Sequence, residues 1–240
     1  MVLPYLERRH DVLAPTLAGH AGGPPLRGEV GHTALLDAAE RAMDEAGLQT
    51  AHLVGNSLGG YLALRMAERG RARTVVALAP AGGWRPGDAL NDDIAEQFLA
   101  MRDGLQQVAP YADALVASRE GRRAVTRFSA VNFEHIPREL LAHQVRAAAA
   151  CPAVYPLIEA ARRRSWTLDP ERISCPVRIV WGTADPVLRW PAAATRYRQE
   201  WLPHADWVEL DRVAHCPQLD VPLETAQLIL GFTARSGEAQ

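Results

Sequence analysis

The stretch AHLVGNSLGGYLALRMAE, residues 51–68, passes from an apolar run of strand character into a run with helical spacing, and almost no loop separates the two. A strand that feeds a helix this abruptly belongs to an alternating α/β architecture, in which helices cover the faces of a parallel sheet. The join reads Gly55-Asn56-Ser57-Leu58-Gly59, and Gly60 extends it. A serine on so sharp a turn is strained, and backbone strain of this kind accompanies function. Glycines two before and two after Ser57 are expected to relieve crowding where strand and helix pass, leaving the hydroxyl exposed above the sheet edge. The other reading is a phosphate-binding turn or a plain tight connection. A dinucleotide site would want G-x-G-x-x-G and a carboxylate near the end of the next strand, yet that strand ends Leu78-Ala79-Pro80.

The rest of the chain extends the alternation. Strands are expected at 10–17, 51–56, 73–80, 176–182 and 206–212, about five in all. Helices are expected at 33–46, closed by Gly47, and at 58–69, closed by Gly70, with others opening at Pro191 and near Pro222. Between Gly82 and Trp166 the pattern changes: Ile94, Phe98, Met101, Leu105 and Val108 begin a series of helical periodicities that no convincing strand interrupts. The chain therefore reads as an α/β core, residues 1–81 and 167–240, with a mostly parallel sheet flanked by helices and a helical cap of about five helices inserted at 82–166.

Composition excludes several function classes. A formal net charge of −2 supplies no basic field for a nucleic-acid partner. All 26 basic residues are arginine, so a Schiff-base lysine and a P-loop lysine are both ruled out. Three cysteines, Cys151, Cys175 and Cys216, lack C-x-x-C spacing and suggest a reducing compartment, without a disulfide framework or a zinc site. The first residues lack the apolar core of a signal peptide, and no run approaches the ~20 apolar residues of a membrane span. The expectation is a cytoplasmic protein with a small-molecule substrate, no metal or organic cofactor, and no nucleic-acid or membrane partner; oligomeric state is not legible.

A serine hydroxyl is a poor nucleophile at neutral pH, so it needs a base, and the base needs an orienting partner. Asp185 follows the strand VRIVWG in the turn TADP, and His215 follows the strand WVELDR in VAHCPQLD. Both positions fall at the carboxyl end of the sheet, the edge where open α/β folds bind ligands. Ser57, Asp185 and His215 are thus expected to converge from three strand ends, with Asp211 as the alternative acid. The other histidines lie within strands, near element starts, in the helical block, or, like His20, in a loop with no carboxylate at a suitable strand end.

HLVGNSLGG, PVRIVWGTADP and VAHCPQLDVP together resemble the nucleophile elbow, acid loop and histidine loop of the α/β-hydrolase superfamily, in the branch whose helical cap lies between the sixth and seventh strands. The resemblance runs from about Val2 to Phe232, and DVLAPTLAGHAGG resembles that family's fourth strand and the loop after it. It implies Ser57 as nucleophile, Asp185 as acid, His215 as base and the Leu58 N–H as one oxyanion donor. Trp84, Phe133, Val187 and Leu188 are candidate substrate-pocket walls, which core packing explains equally well.

Family members also carry three earlier strands and a His-Gly loop that supplies a second oxyanion donor. Neither that loop nor the strand before it is found here, which leads to the expectation that Met1 is an internal or misassigned start and that the functional product is longer. Loss of one such donor lowers turnover by ~10²–10³. A missing third strand would leave backbone groups unpaired unless its two neighbours close up. The leading functional reading is hydrolysis of a small carboxylic ester or lactone. One alternative is carbon–carbon bond hydrolysis of a diketone-like acid, with Arg123 or Arg127 holding the substrate carboxylate, although Cys216 stands where that subgroup carries tryptophan. The other alternative is a ligand-binding member without catalysis.

Overall fold

A computed structural model of the protein describes residues 1–85, 88–163 and 166–237. Four strands form one sheet in the spatial order β1-β2-β3-β4: β1 Ala51–Asn56, β2 Ala72–Leu78, β3 Val177–Gly182 and β4 Asp206–Leu210. Every neighbouring pair is parallel, with Asn56 opposite Leu78, Leu78 opposite Val180, and Gly182 opposite Leu210. The carboxyl ends of all four strands therefore lie along one edge.

Alternate residues of the strands supply two cores. On one face Val75, Ala77, Val177, Ile179 and Trp181 pack with Tyr61 and Leu64 of α3 (Leu58–Glu68) and with Tyr197 and Trp201. On the other face Val76, Leu78, Val180 and Leu210 meet Leu6 of α1 (Leu3–Leu6) and Ile229 and Phe232 of α10 (Pro222–Gly237). Strands covered on both faces should be apolar throughout, and residues 75–78 of β2 and 177–182 of β3 are, apart from Arg178. That guanidinium is itself accommodated: it pairs with Asp206, donates to the Leu228 carbonyl at 2.7 Å and lies over the Phe232 ring. Helix α2 (His32–Glu45) packs Leu35, Leu36 and Met43 against the outer side of α3, and Gly47 closes it in a left-handed conformation at φ +73°.

Between β2 and β3 the described residues hold five α-helices: α4 Ala89–Val108, α5 Ala112–Ala117, α6 Arg119–Thr126, α7 Arg138–Ala149 and α8 Val154–Arg163. A separate core of Ala112, Val116, Phe133, Ile136, Leu141 and Val145 holds much of this insertion together, and it includes Leu219 from the short helix α9 (Pro217–Asp220). No helix among the described residues is long and apolar enough to cross a membrane.

Two expectations change. Residues 10–17 do not form a strand: the segment is irregular, Asp11 to Thr16 are exposed, and β1 is an edge strand with Val54 41% exposed. Pro15 has no N–H to donate to a ladder, and with Val12 and Leu13 in solvent no apolar burial rewards pairing. The region opening at Pro191 is a 3₁₀ turn, Ala192–Ala194, followed by a π-helical turn, Tyr197–Trp201, in place of a regular α-helix.

The β1–α3 join also assigns its glycines differently. A Cβ on Gly55 would lie 2.1 Å from the Gly59 carbonyl oxygen and 2.6 Å from the Gly60 nitrogen, so strand and helix backbones meet there in near contact. A Cβ on Gly60 would lie 3.0 Å from the Gly55 carbonyl oxygen, whereas one on Gly59 would meet nothing within 4 Å. Gly55 and Gly60 therefore relieve the crowding, and Gly59 contributes its backbone to it. Overpacking against fixed backbone costs ~1–3 kcal/mol, and each kcal/mol moves the midpoint of a domain this size by ~2–4 °C. Gly55→Ala should lower the thermal midpoint by about 2–12 °C in a calorimetric scan, while Gly59→Ala should stay within ~2 °C of the parent. Equal midpoints for the two variants would contradict this packing.

Candidate active site

Ser57 follows β1 directly and has φ +55° and ψ −118°, a conformation that costs a non-glycine residue ~1–3 kcal/mol. Neighbouring bonds hold it there. Its N–H donates to the Leu78 carbonyl at 2.9 Å, and its own carbonyl accepts from Tyr61 at 3.1 Å and Ala81 at 3.0 Å. The Ser57 hydroxyl does not cap α3. Leu58 opens that helix, where the first N–H groups have no partner one turn earlier and the helix dipole is positive. A negative oxygen beside Ser57 would meet that end.

Asp185 lies just beyond β3 and is 4% exposed. Its Oδ1 accepts from the N–H groups of Val187 and Leu188, each at 2.8 Å, which fixes the carboxylate plane. The other oxygen, Oδ2, is 2.7 Å from Nδ1 of His215, which lies beyond β4 and is 5% exposed. With Nδ1 bonded to the carboxylate as the N–H donor, Nε2 becomes the acceptor face of the neutral ring. Nε2 is buried and has no hydrogen-bond partner among the described residues, so no bond joins it to the Ser57 hydroxyl in this structure. The two loops are joined through the backbone instead. Asn56, next to the serine, donates from Nδ2 to the His215 carbonyl at 2.9 Å and to the Leu78 carbonyl at 3.0 Å. Its Oδ1 accepts from Gln218 at 3.1 Å and from the Cys216 thiol at 3.3 Å.

Cys216 is a second candidate nucleophile by position, adjacent to His215. Burial above all, with the Asp185 and Asp220 carboxylates adding, pushes its thiol up to about 12, so it stays protonated at neutral pH.

The remaining sequence candidates separate clearly. Trp84, Val187 and Leu188 share a buried cluster against which Leu58, Phe98 and Phe128 pack. Phe133 belongs to the other cluster, inside the insertion. Asp211 is on the surface beside Arg212, away from the His215 ring that Asp185 occupies. His52 bonds Thr74 at 2.9 Å near the amino ends of β1 and β2, the opposite edge of the sheet. Arg123 and Arg127 are exposed, the latter lying over the Phe128 ring. Sequence reasoning missed Asn56 and Asp220, whose side chains bond backbone groups distant in the chain. A polar residue beside the elbow and an acid five positions after His215 were the available signals.

The model of the alpha/beta hydrolase family matches residues 2–228. Epoxide hydrolase EphH of Mycobacterium tuberculosis is 30% identical over 199 residues, which is 82% of this chain and 92% of that one. The meta-cleavage product hydrolase of Pseudomonas fluorescens superposes with a TM-score of 0.69 at 22% identity, over 98% of this chain and 84% of that chain. The enol-lactonase of Burkholderia xenovorans gives a TM-score of 0.67 at 16% identity, over 91% and 78%. These two structural likenesses concern the fold, and the family match spans most of the sequence. With the strand-to-helix elbow and two loops gathered at one sheet edge, the chain belongs to the alpha/beta hydrolase family.

Proposed function

We propose that the protein is a serine hydrolase of small carboxylic esters or lactones, with Ser57 as nucleophile, His215 as base, Asp185 as the acid that orients it, and the Leu58 N–H as an oxyanion donor. The observation that carries this reading is the pair of bonds on Asp185: one oxygen held by two backbone N–H groups, the other on His215 Nδ1. That arrangement leaves Nε2 as the free acceptor on the loop that Asn56 ties to the Ser57 turn.

The chemistry follows from these roles. His215 Nε2 takes the Ser57 hydroxyl proton as Oγ bonds to the substrate carbonyl carbon, and the carbonyl oxygen becomes an oxyanion facing the start of α3. Asp185 stabilises the imidazolium that forms. Collapse of the intermediate breaks the carbon–oxygen bond to the leaving group, which receives the proton from His215. Water then attacks the acyl-Ser57 ester, again with its proton passing to Nε2, and Ser57 is regenerated. We propose that the insertion at 82–166 acts as the cap of this site. Trp84, Val187 and Leu188 then offer apolar surroundings for a hydrocarbon acyl group, with Phe133 acting through the packing of the insertion.

The name of the mycobacterial relative raises epoxide opening. Attack by Ser57 on an epoxide would give an ether, which water does not cleave, whereas attack on a carbonyl gives an ester that it does. The reading of a carbon–carbon bond hydrolase requires a cation to hold the substrate carboxylate, and Arg123 and Arg127 are both exposed.

Hydrolysis of p-nitrophenyl acetate and butyrate, together with a fluorophosphonate probe located by mass spectrometry, tests the proposal. The probe should label Ser57, and Ser57→Ala should abolish both labelling and turnover. Asp185→Asn should lower turnover by ~10³–10⁴ with the fold intact. An unlabelled Ser57 in folded protein favours a binding role, and turnover of styrene oxide without ester turnover favours epoxide opening. Independently, Cys216 should resist iodoacetamide in native protein at about pH 8.5, where an ordinary thiol is half ionised, and react once the protein is unfolded. Fast alkylation of native Cys216 would instead mark it as the reactive group.

A further inference from the structure

Asp220 is 1% exposed, and the mechanism above gives it no part. Its Oδ2 accepts from the Ala214 N–H at 2.7 Å and the Val131 N–H at 3.0 Å. Its Oδ1 accepts from the Asn132 N–H at 2.7 Å and the Asn132 Nδ2 at 2.9 Å. All four partners are N–H donors, so the site suits a carboxylate and offers no acceptor for a carboxyl proton. Hydrogen bonds to an ionised acceptor are about twice as strong as neutral ones.

The partners belong to two separate parts of the chain. Ala214 immediately precedes His215, while Val131 and Asn132 lie in the turn between α6 and α7 of the insertion. Two further bonds join the same pieces: the Cys216 N–H donates to the Ser129 carbonyl at 3.0 Å, and His135 Nε2 donates to the Leu219 carbonyl at 2.8 Å. Phe133 and Leu219 share the apolar core between them. The backbone is thus held one residue before His215 by Asp220 and one residue after it by Ser129, with Asn56 on the His215 carbonyl itself.

We infer that Asp220 is a positioning residue for His215: its buried carboxylate, shared between Ala214 on the histidine loop and Val131 and Asn132 on the insertion, sets the loop so that the imidazole meets Asp185. The placement of the base then depends on the placement of the insertion, because one carboxylate binds both. This rests on the serine-hydrolase reading only for the role given to His215. An imidazole 2.7 Å from its carboxylate has little tolerance for a displaced main chain. Asp220→Asn preserves size but replaces one acceptor oxygen with an NH₂ group, which faces N–H donors and repels them.

The test combines the fluorophosphonate labelling rate at Ser57 with the far-downfield proton resonance of a histidine N–H bonded to a carboxylate, assigned by its loss in His215→Gln. Folded Asp220→Asn should label ~10- to 100-fold more slowly, and the resonance should broaden or shift; Asp220→Glu should recover part of both. Should Asp220→Asn fail to fold, Asn132→Ala, at an exposed residue that supplies two of the four donors and would lose the Nδ2 one, should still slow labelling several-fold and move the resonance. Native labelling rates with an unmoved resonance in either folded variant would overturn the inference, as would absence of the resonance from the parent protein. A parent that shows the resonance but no labelling, with the resonance displaced in Asp220→Asn, sinks the serine-hydrolase reading and leaves the positioning role of Asp220 standing.

Discussion

Parallel pairing is the constraint on which everything else depends. Four strands running the same way must end at the same edge, so a residue placed just beyond any one strand comes near residues placed just beyond the others. Ser57 after β1, Asp185 after β3 and His215 after β4 use that fact, although 158 residue positions separate the first from the last by the difference of 215 and 57. Antiparallel pairing of β4 would send the histidine loop to the opposite side, where His52 lies against Thr74.

Placement at a common edge is coarse, and three kinds of contact refine it. Close backbone approach at Gly55 brings α3 hard against β1 and forces Ser57 into its strained conformation. Two N–H groups from Val187 and Leu188 fix the Asp185 carboxylate. Side-chain bonds from Asn56 and Asp220 to the backbone around His215 then set the histidine loop. The Asp185 and Asp220 carboxylates are buried with their partners supplied, as a protein interior requires. Such a network trades adaptability for fixed geometry, which suits groups whose chemistry depends on distances of a few tenths of an ångström.

The elements with strong periodicity were legible from the sequence: α2 with its closing Gly47, β2 and β3 as largely apolar runs, and the helical series between them all follow from local patterning. The Ser57 turn was legible because G-x-S-x-G combines three spaced constraints in five residues. The segment at 10–17 was misread because apolar content suggests a strand, whereas a strand exists only where a neighbour accepts its bonds, and Pro15 and solvent exposure deny that here. Gly59 was given a steric role that belongs to Gly60, since spacing around the serine does not reveal which Cβ direction points at the opposing backbone. Asn56 and Asp220 escaped notice because their partners, Leu78, His215, Ala214 and Val131, are backbone groups whose proximity only the folded chain defines.

The account stands or falls on convergence at Ser57. A high-resolution crystal structure of the protein soaked with a simple arylboronic acid tests this most directly, because boron forms a tetrahedral adduct with an activated serine. The boron should be bonded to Ser57 Oγ, with one boron-bound oxygen within hydrogen-bond distance of the Leu58 N–H and His215 Nε2 within reach of Ser57 Oγ or the other oxygen. Density for the adduct on another residue, or His215 Nε2 beyond hydrogen-bond reach of both Ser57 Oγ and the boron-bound oxygens, would contradict it.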